Sequence, residues 1–190
     1  MDLVLFGIQG SGKGTQAKML ADKYGYKIFE AGGELRSIAS GGTELGKTVK
    51  SFIDVGRLVP HEIIMQVVKR FIENNSQNGK LIFDGIPRDG EQMRDLDAIM
   101  REEKREFRCI HFRLDEDEAV RRIVERATIQ GRSDDAKEEI VRRRMDTFRT
   151  KTLPVIRDYE KRGWMEEVDG SGTIGEVRGD VEKLMKEKIR

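Results

Sequence analysis

Apolar and polar positions along this chain follow two rhythms. Short apolar runs at 3–6, 27–29, 81–83, 109–114 and 164–168 have the length of strands, and stretches with helical spacing separate them. Ala17, Leu20, Ala21 and Tyr24 recur at i, i+3, i+4 and i+7, with Gly25 as a stop. The stretch between the second and third runs is helical but glycine-rich: Gly32, Gly33, Gly41, Gly42, Gly46 and Gly56. Pro60 then opens an amphipathic helix whose inner face is expected to carry Ile63, Ile64, Val67, Val68, Phe71 and Ile72. Met93, Leu96, Ile99 and Met100 mark a further helix over 91–103, and Val177, Val181, Leu184 and Met185 a last one. There is no internal repeat or low-complexity tract. Strand-length runs alternating with helical patterns predict an α/β fold with a parallel sheet.

One region departs from this rhythm. Positions 122–144 are dense in arginine, interrupted by Thr128, Ile129, Gln130 and Gly131, and carry an acidic pair, Asp134 and Asp135. The pattern suits a short exposed flap between helices better than a core element.

The first strand runs into Gly7-Ile-Gln-Gly10-Ser-Gly-Lys13-Gly-Thr15, and a helix follows. Glycines let backbone N–H groups turn toward an anion with no Cβ in the way. The new helix adds its positive end. Lys13 is a mobile point charge for outer phosphates, and Thr15 offers a hydroxyl to phosphate or Mg²⁺. The strict pattern places Ser or Thr directly after the lysine; here Gly14 intervenes, so the match is to a Gly-Lys-Gly-Thr variant. The context implies a nucleoside polyphosphate site.

Composition narrows the classes. At 190 residues the chain can bury one core, with room for small inserted lobes. Charged residues make up 37% yet nearly cancel to +1, which argues against nonspecific nucleic-acid or membrane-surface binding. No apolar run approaches the ~18 residues of a membrane span. The single cysteine, Cys109, excludes an internal disulfide and a four-cysteine zinc site. The start goes straight into the first strand with no leader pattern, so a cytoplasmic location is expected.

Leu81-Ile-Phe-Asp84 is an apolar strand ending in a carboxylate, placed to hold Mg²⁺ directly or through water. Gly85-Ile-Pro87-Arg88 and Gln92 follow. The glycine and proline fix a turn beyond the strand's carboxyl end, where ligands bind in open parallel sheets, and aim Arg88 into that crevice. A guanidinium suits this task because its planar fork pairs two phosphate oxygens. Phosphoryl transfer needs in-line substrates, exclusion of water and positive charge around the migrating group. Lys13, Arg36, Arg88, Arg122, Arg126, Arg132 and an arginine near 144 supply that inventory. His61 and His111 are expected to be structural, and Cys109 a buried small hydrophobe.

These motifs, in this order, resemble the adenylate kinases and the wider nucleoside monophosphate kinases. The resemblance rests on Gly10-Ser-Gly-Lys-Gly-Thr15-Gln16, Gly32 with Leu35-Arg36, Gly56-Arg-Leu-Val-Pro60, and Asp84-Gly-Ile-Pro-Arg88 with Gln92. It continues through Arg122-Ile-Val-Glu-Arg126, Gly131-Arg132-Ser-Asp134-Asp135 and Val168-Asp-Gly170. It implies a single domain over 1–190 with a three-layer P-loop NTPase-type fold and a five-stranded parallel sheet. A monophosphate-binding lobe near 30–59 and a short lid near 125–135 would be inserted in it.

The implied reaction is MgATP + AMP ⇌ 2 ADP. Gly10, Ser11, Gly12, Lys13, Gly14 and Thr15 would hold the ATP phosphates, while Arg122 and the Gly172 backbone would meet its base. Arg36 and Arg88 would grip the AMP phosphate. Ala31, Arg57, Leu58, Val59, Gly85 and Gln92 would frame the rest of AMP. Arg126, Arg132 and Arg144 would surround the transferring group, with Arg132 and Arg144 also touching AMP. The lid lacks cysteines, so no structural zinc is expected, and a monomer is the simplest state.

The chain departs from the family's pattern at several positions. Ala31 replaces a usual threonine and resembles UMP/CMP kinases there, whereas Gln92 is the adenine-type residue; a pyrimidine monophosphate kinase is the alternative reading. Gly33 replaces a usual aspartate, Gln9 a proline or glycine, and Ile86 an aromatic. The altered Gly32-Gly33 region also motivates a non-catalytic nucleotide-binding protein, against which Lys13, Arg88 and Arg132 stand together.

Overall fold

The computed structural model describes residues 1–75, 79–130 and 138–189, with the side chains of 127–130 left aside. Five strands form one sheet: β1 (Asp2–Phe6), β2 (Tyr26–Glu30), β3 (Lys80–Asp84), β4 (Phe107–Arg113) and β5 (Met165–Asp169). Their spatial order is β2-β3-β1-β4-β5, and every neighbouring pair is parallel. Helices connect them: α1 (Lys13–Tyr24), α2 (Ala31–Ser40), α3 (Glu44–Ile53), α4 (His61–Asn74), α5 (Gly90–Glu102), α6 (Glu116–Gln130), α7 (Glu138–Thr147), α8 (Leu153–Lys161) and α9 (Ile174–Lys188). A π-helical turn, Phe148–Thr152, joins α7 to α8. The fold is thus α/β with a five-stranded parallel sheet, as the sequence implied.

The sheet is apolar on both faces because helices cover both. Period-two alternation sends Val4, Phe6, Phe29, Leu81, Phe83 and Cys109 to one side, where α4, α5 and α8 supply Val68, Ile72, Leu96, Ile156 and Tyr159. Leu3, Leu5, Ile82, Ile110 and Phe112 face the other side, packed by Ala17 and Leu20 of α1 and by Val177, Val181 and Met185 of α9. On the first side Phe29 meets Phe71 with ring centroids 5.3 Å apart, and both approach Phe83 at 6.2 Å. Cys109 is fully buried.

Differences from expectation are local. Strand boundaries shift by at most two residues; Leu114 falls outside β4 and Trp164 outside β5. On α4 the fully buried positions are Ile64, Met65, Val68 and Ile72, so Met65 joins the inner face, while Val67 and Phe71 only border it. The expected break at Thr128 does not interrupt α6, which runs to Gln130. The lid expected over 125–135 therefore begins within a helix, and 131–137 lie outside the described residues. Positions 145–161, unassigned from sequence, are helical: Met145, Phe148, Thr152, Val155, Ile156 and Tyr159 form a buried or half-buried stripe. Among the described residues no helix is long and apolar enough to cross a membrane.

One ionic contact ties β1 and β3 to the segment that enters β4. Asp2 is almost wholly buried; it accepts from Arg105 Nε (2.6 Å) and Nη2 (2.9 Å) and from the Leu81 N–H (2.8 Å). Removing one member of a buried pair strands the other charge. Arg105→Ala should therefore lower unfolding free energy by about 3–5 kcal/mol, read as a shift in the urea midpoint at an unchanged slope; a loss under about 1 kcal/mol would mean that Asp2 is hydrated.

Candidate active site

All strands point the same way, so the segments leaving their carboxyl ends share one rim of the sheet. Phe6 leads into the glycine loop, Glu30 into α2, and Asp84 into the Gly85–Arg88 turn; Asp169 leads to Gly170, Ser171 and Gly172. Glu30 and Asp84 are register partners, as are Leu5 and Asp84.

The glycine loop is shaped by positive φ at Gly10 (89°) and Gly12 (85°). No side chain caps the start of α1. The Ser11 N–H donates to the Ile8 carbonyl, and Thr15 and Gln16 donate to that of Gly12. Lys13 Nζ lies across the loop, donating to the carbonyls of Gly7 (2.8 Å) and Ile8 (3.2 Å). Burial lowers its pKa, while Asp84 opposes that shift. Ser11 Oγ is buried beneath the loop with no hydrogen-bond partner. A Cβ on Gly14 would lie 3.4 Å from Asp84 Oδ2, so the carboxylate stands directly against the start of α1. Burial raises the Asp84 pKa, Lys13 lowers it and Glu30 raises it. Thr15 is solvent-exposed on the next residue.

A cleft opens between this loop and α2–α3. Lys13, Arg36, Arg88, Arg126 and Arg144 line it, together with Glu30 and Asp84. Ala31, Arg57, Leu58, Val59, Gly85 and Gln92 lie on its walls too, so the expected acceptor-site residues within the described chain all border one space. Arg132 lies outside the described residues. Arg88 Nε donates to the Gly85 carbonyl at 2.7 Å across a turn containing a cis Ile86–Pro87 bond. Its field is shared by Asp84, Arg144 and Arg36. Gln92 is buried, and its Oε1 accepts from the Arg88 N–H at 2.8 Å. Arg143 points away, to the Val55 carbonyl (2.8 Å) and Glu139 (3.0 Å), whereas Arg144 faces the cleft.

Arg122 and Gly172 stand apart from that cleft, beside each other. Arg122 Nε pairs with Glu118 (2.7 Å), and its two terminal nitrogens donate to the carbonyls of Gly170 (2.8 Å) and Ser171 (3.0 Å). A guanidinium held along its edge presents a flat face suited to stacking. His61 pairs with Asp95 at 2.8 Å. His111 lies 3.6 Å from Glu167, with burial lowering its pKa and Glu167 raising it. Glu160 completes a group of three whose potential ligand atoms lie within 4.8 Å; none of the three lines the cleft.

Sequence reasoning missed Glu30 and the cleft residues of the 145–159 stripe. Glu30 pairs with Arg36 at 3.0 Å; its signal was the one that marked Asp84, a carboxylate closing an apolar strand. Thr152, in the π turn, donates to the Arg88 carbonyl at 2.9 Å, and Thr147 and Phe148 also line the cleft. The helical stripe of 145–159 could have indicated them.

Gly10 combines φ of 89° with a site where a Cβ would lie 2.8 Å from the Ala119 carbonyl oxygen. Gly10→Ala should weaken nucleoside triphosphate binding by about 5- to 150-fold, since strain of about 1–3 kcal/mol falls on the loop itself; calorimetric titration checks this. A sequence profile of the family described as adenylate kinase matches residues 5–164. Similar proteins include adenylate kinases of Thermobifida fusca (41% identity, covering 93% of this chain and 94% of the relative) and Thermus thermophilus (40%; 92% and 91%). That of Maricaulis maris is 34% identical over 99% of this chain and 100% of its own. Matched by that profile over residues 5–164 and by these relatives over more than nine-tenths of its length, the chain belongs to the adenylate kinase family.

Proposed function

We propose that the protein catalyses reversible phosphoryl transfer from MgATP to AMP, giving two ADP. The observation that carries this reading is the convergence of Lys13, Arg36, Arg88, Arg126 and Arg144 on one cleft that also holds the buried amide of Gln92. A site that only bound a nucleotide needs no such ring of cations around a second phosphate.

ATP enters by the glycine loop. Backbone N–H groups of Gly10–Thr15 and the end of α1 take its phosphates, and Lys13 exchanges its bonds to the Gly7 and Ile8 carbonyls for the outer phosphate oxygens. Arg122, fixed against Gly170 and Ser171, stacks on the base, with the Gly172 backbone at its edge. Asp84, beside Gly14 and Lys13, and the Thr15 hydroxyl are hard oxygen donors that would hold the Mg²⁺ accompanying ATP, which would supply charge neutralisation there.

AMP enters opposite. Arg36 and Arg88 hold its phosphate, and Arg57, Leu58 and Val59 cover its base with Ala31 beneath. Gln92 commits its oxygen to the Arg88 N–H and turns its NH₂ group, a donor, to the base. Arg88 is thus linked to base reading and to phosphate holding at once. As the in-line transfer proceeds, Arg126, Arg132 and Arg144 balance the spreading charge, and closure of the 125–135 segment excludes water that would compete for the phosphoryl group. The lobe spans 30–59, and the protein works as a cytoplasmic monomer.

Diphosphate formation from MgATP with AMP, CMP, UMP, GMP or no acceptor tests the assignment. AMP should be preferred; preference for CMP or UMP would make Ala31 outweigh Gln92, and no transfer at all would leave a binding protein. Lys13→Met should lower kcat by at least about 10²–10³-fold with the fold intact by circular dichroism. Arg88→Ala should weaken AMP by about 1.5–3 kcal/mol, and unchanged AMP binding there would displace the acceptor site.

A further inference from the structure

Three arginines, Arg36, Arg88 and Arg144, crowd one end of the cleft, and the fields of the other two meet at Arg88. Two carboxylates share that wall. Asp84 faces Lys13 and Arg88. Glu30 is the one paired with Arg36, through Oε1 and Nη2 at 3.0 Å.

The chain is built to seat this pair. A Cβ on Gly32 would lie 3.0 Å from Arg36 Nη1 and 3.6 Å from its Cζ. A Cβ on Gly33 would lie 3.2 Å from Glu30 Oε2 and 3.4 Å from its Cδ. The guanidinium and the carboxylate therefore occupy the room that side chains at 32 and 33 would take, flat against the first turn of α2. Where the family pattern puts an aspartate at 33, this chain has a glycine, and a carboxylate arriving from 30 fills the space.

Resting on the acceptor-site reading above, we propose that Glu30 is a positioning residue that holds Arg36 as a stand-in for the acceptor phosphate and is displaced by it. Carboxylate and phosphate oxygens compete for the same guanidinium edge. Until AMP arrives, Glu30 offsets the mutual repulsion of the three arginines. AMP then supplies the negative charge itself, and Arg36 changes partner. The exchange costs affinity, because the entering dianion must break an ion pair and lie beside the released carboxylate. The same cost speeds departure of the product ADP, so Glu30 sets how tightly this end of the cleft holds any nucleotide.

Equilibrium binding of AMP and ATP to the wild type, Glu30→Gln, Glu30→Asp and Arg36→Ala, each checked by thermal melting, tests this. Glu30 is half-exposed, so its replacement leaves the core untouched. Glu30→Gln should bind AMP about two- to fivefold more tightly, the range of an exposed ion pair, with ATP affinity unchanged. Structural damage cannot produce tightening. Glu30→Asp keeps the charge but loses the reach to Arg36, and should shift AMP affinity in the same direction. Equal or weaker AMP binding by Glu30→Gln overturns the proposal. So does an aspartate variant identical to wild type beside a tighter glutamine variant, since that pattern is general repulsion without a specific partner. If Arg36→Ala leaves AMP binding unchanged, the acceptor site itself is misplaced; if Arg36→Ala loses AMP while Glu30→Gln does not gain it, only the role of Glu30 fails.

Discussion

An all-parallel sheet has one chemical consequence that shapes everything else here: every strand delivers its carboxyl end to the same rim. β1, β2, β3 and β5 leave at Phe6, Glu30, Asp84 and Asp169, and the glycine loop, the start of α2, the Arg88 turn and the Gly170–Gly172 segment follow them there. The covered faces anchor that rim. Val4 and Phe6 point into one core and Leu3 and Leu5 into the other, so β1 cannot slide by a residue without exchanging both faces. The position of Lys13 against Asp84 is therefore set by the aliphatic packing of the strands beneath it.

Such a rim is electrostatically awkward. It concentrates cations whose mutual repulsion the protein must tolerate by itself. The chain answers with internal partners. Lys13 leans on loop carbonyls, Arg122 on Gly170 and Ser171, Arg88 on the Gly85 carbonyl and Arg36 on Glu30. On the function proposed above, phosphate oxygens replace the bonds of Lys13 and Arg36, while Arg122 keeps Gly170 and Ser171 and offers its face. The affinity of the site is then a difference between two sets of hydrogen bonds, and modest bonds inside the protein make for exchangeable ligands outside it.

Local physics explains what could be read from the sequence. The glycine loop, the Gly85–Arg88 turn and the stripes of α4, α5 and α9 were legible because short-range rules fix them: positive φ at glycines, a proline-set turn, a 3.6-residue period. The sequence left the choice between Arg143 and Arg144 open; in the fold Arg144 lines the cleft while Arg143 turns to Val55 and Glu139. Other features were hidden because they depend on distant partners. Nothing near Arg122 indicates that it bonds carbonyls 48 and 49 residues on. Glu30 reads as an ordinary strand-end carboxylate until α2 folds Arg36 back over Gly32. The continuation of α6 through Thr128 to Gln130 shows a helix overriding weak formers once it is nucleated.

The π turn between α7 and α8 makes the length of this chain a matter of angle. Arg144, Thr147, Phe148 and Thr152 reach the same cleft across it, although they span a wider turn than α geometry allows. A helix advances about 100° per residue. The i→i+5 turn fits one more residue into nearly the same sweep, so losing one residue from Phe148–Thr152 would let the segment close to ordinary α-helix with α7 and α8 still in register. The same loss inside α7, between Arg144 and the turn, has nothing to absorb it and would swing Arg144 off the cleft wall by roughly 100° while Val155, Ile156 and Tyr159 stayed buried. This helix tolerates a change of count at its wide turn and not beside it.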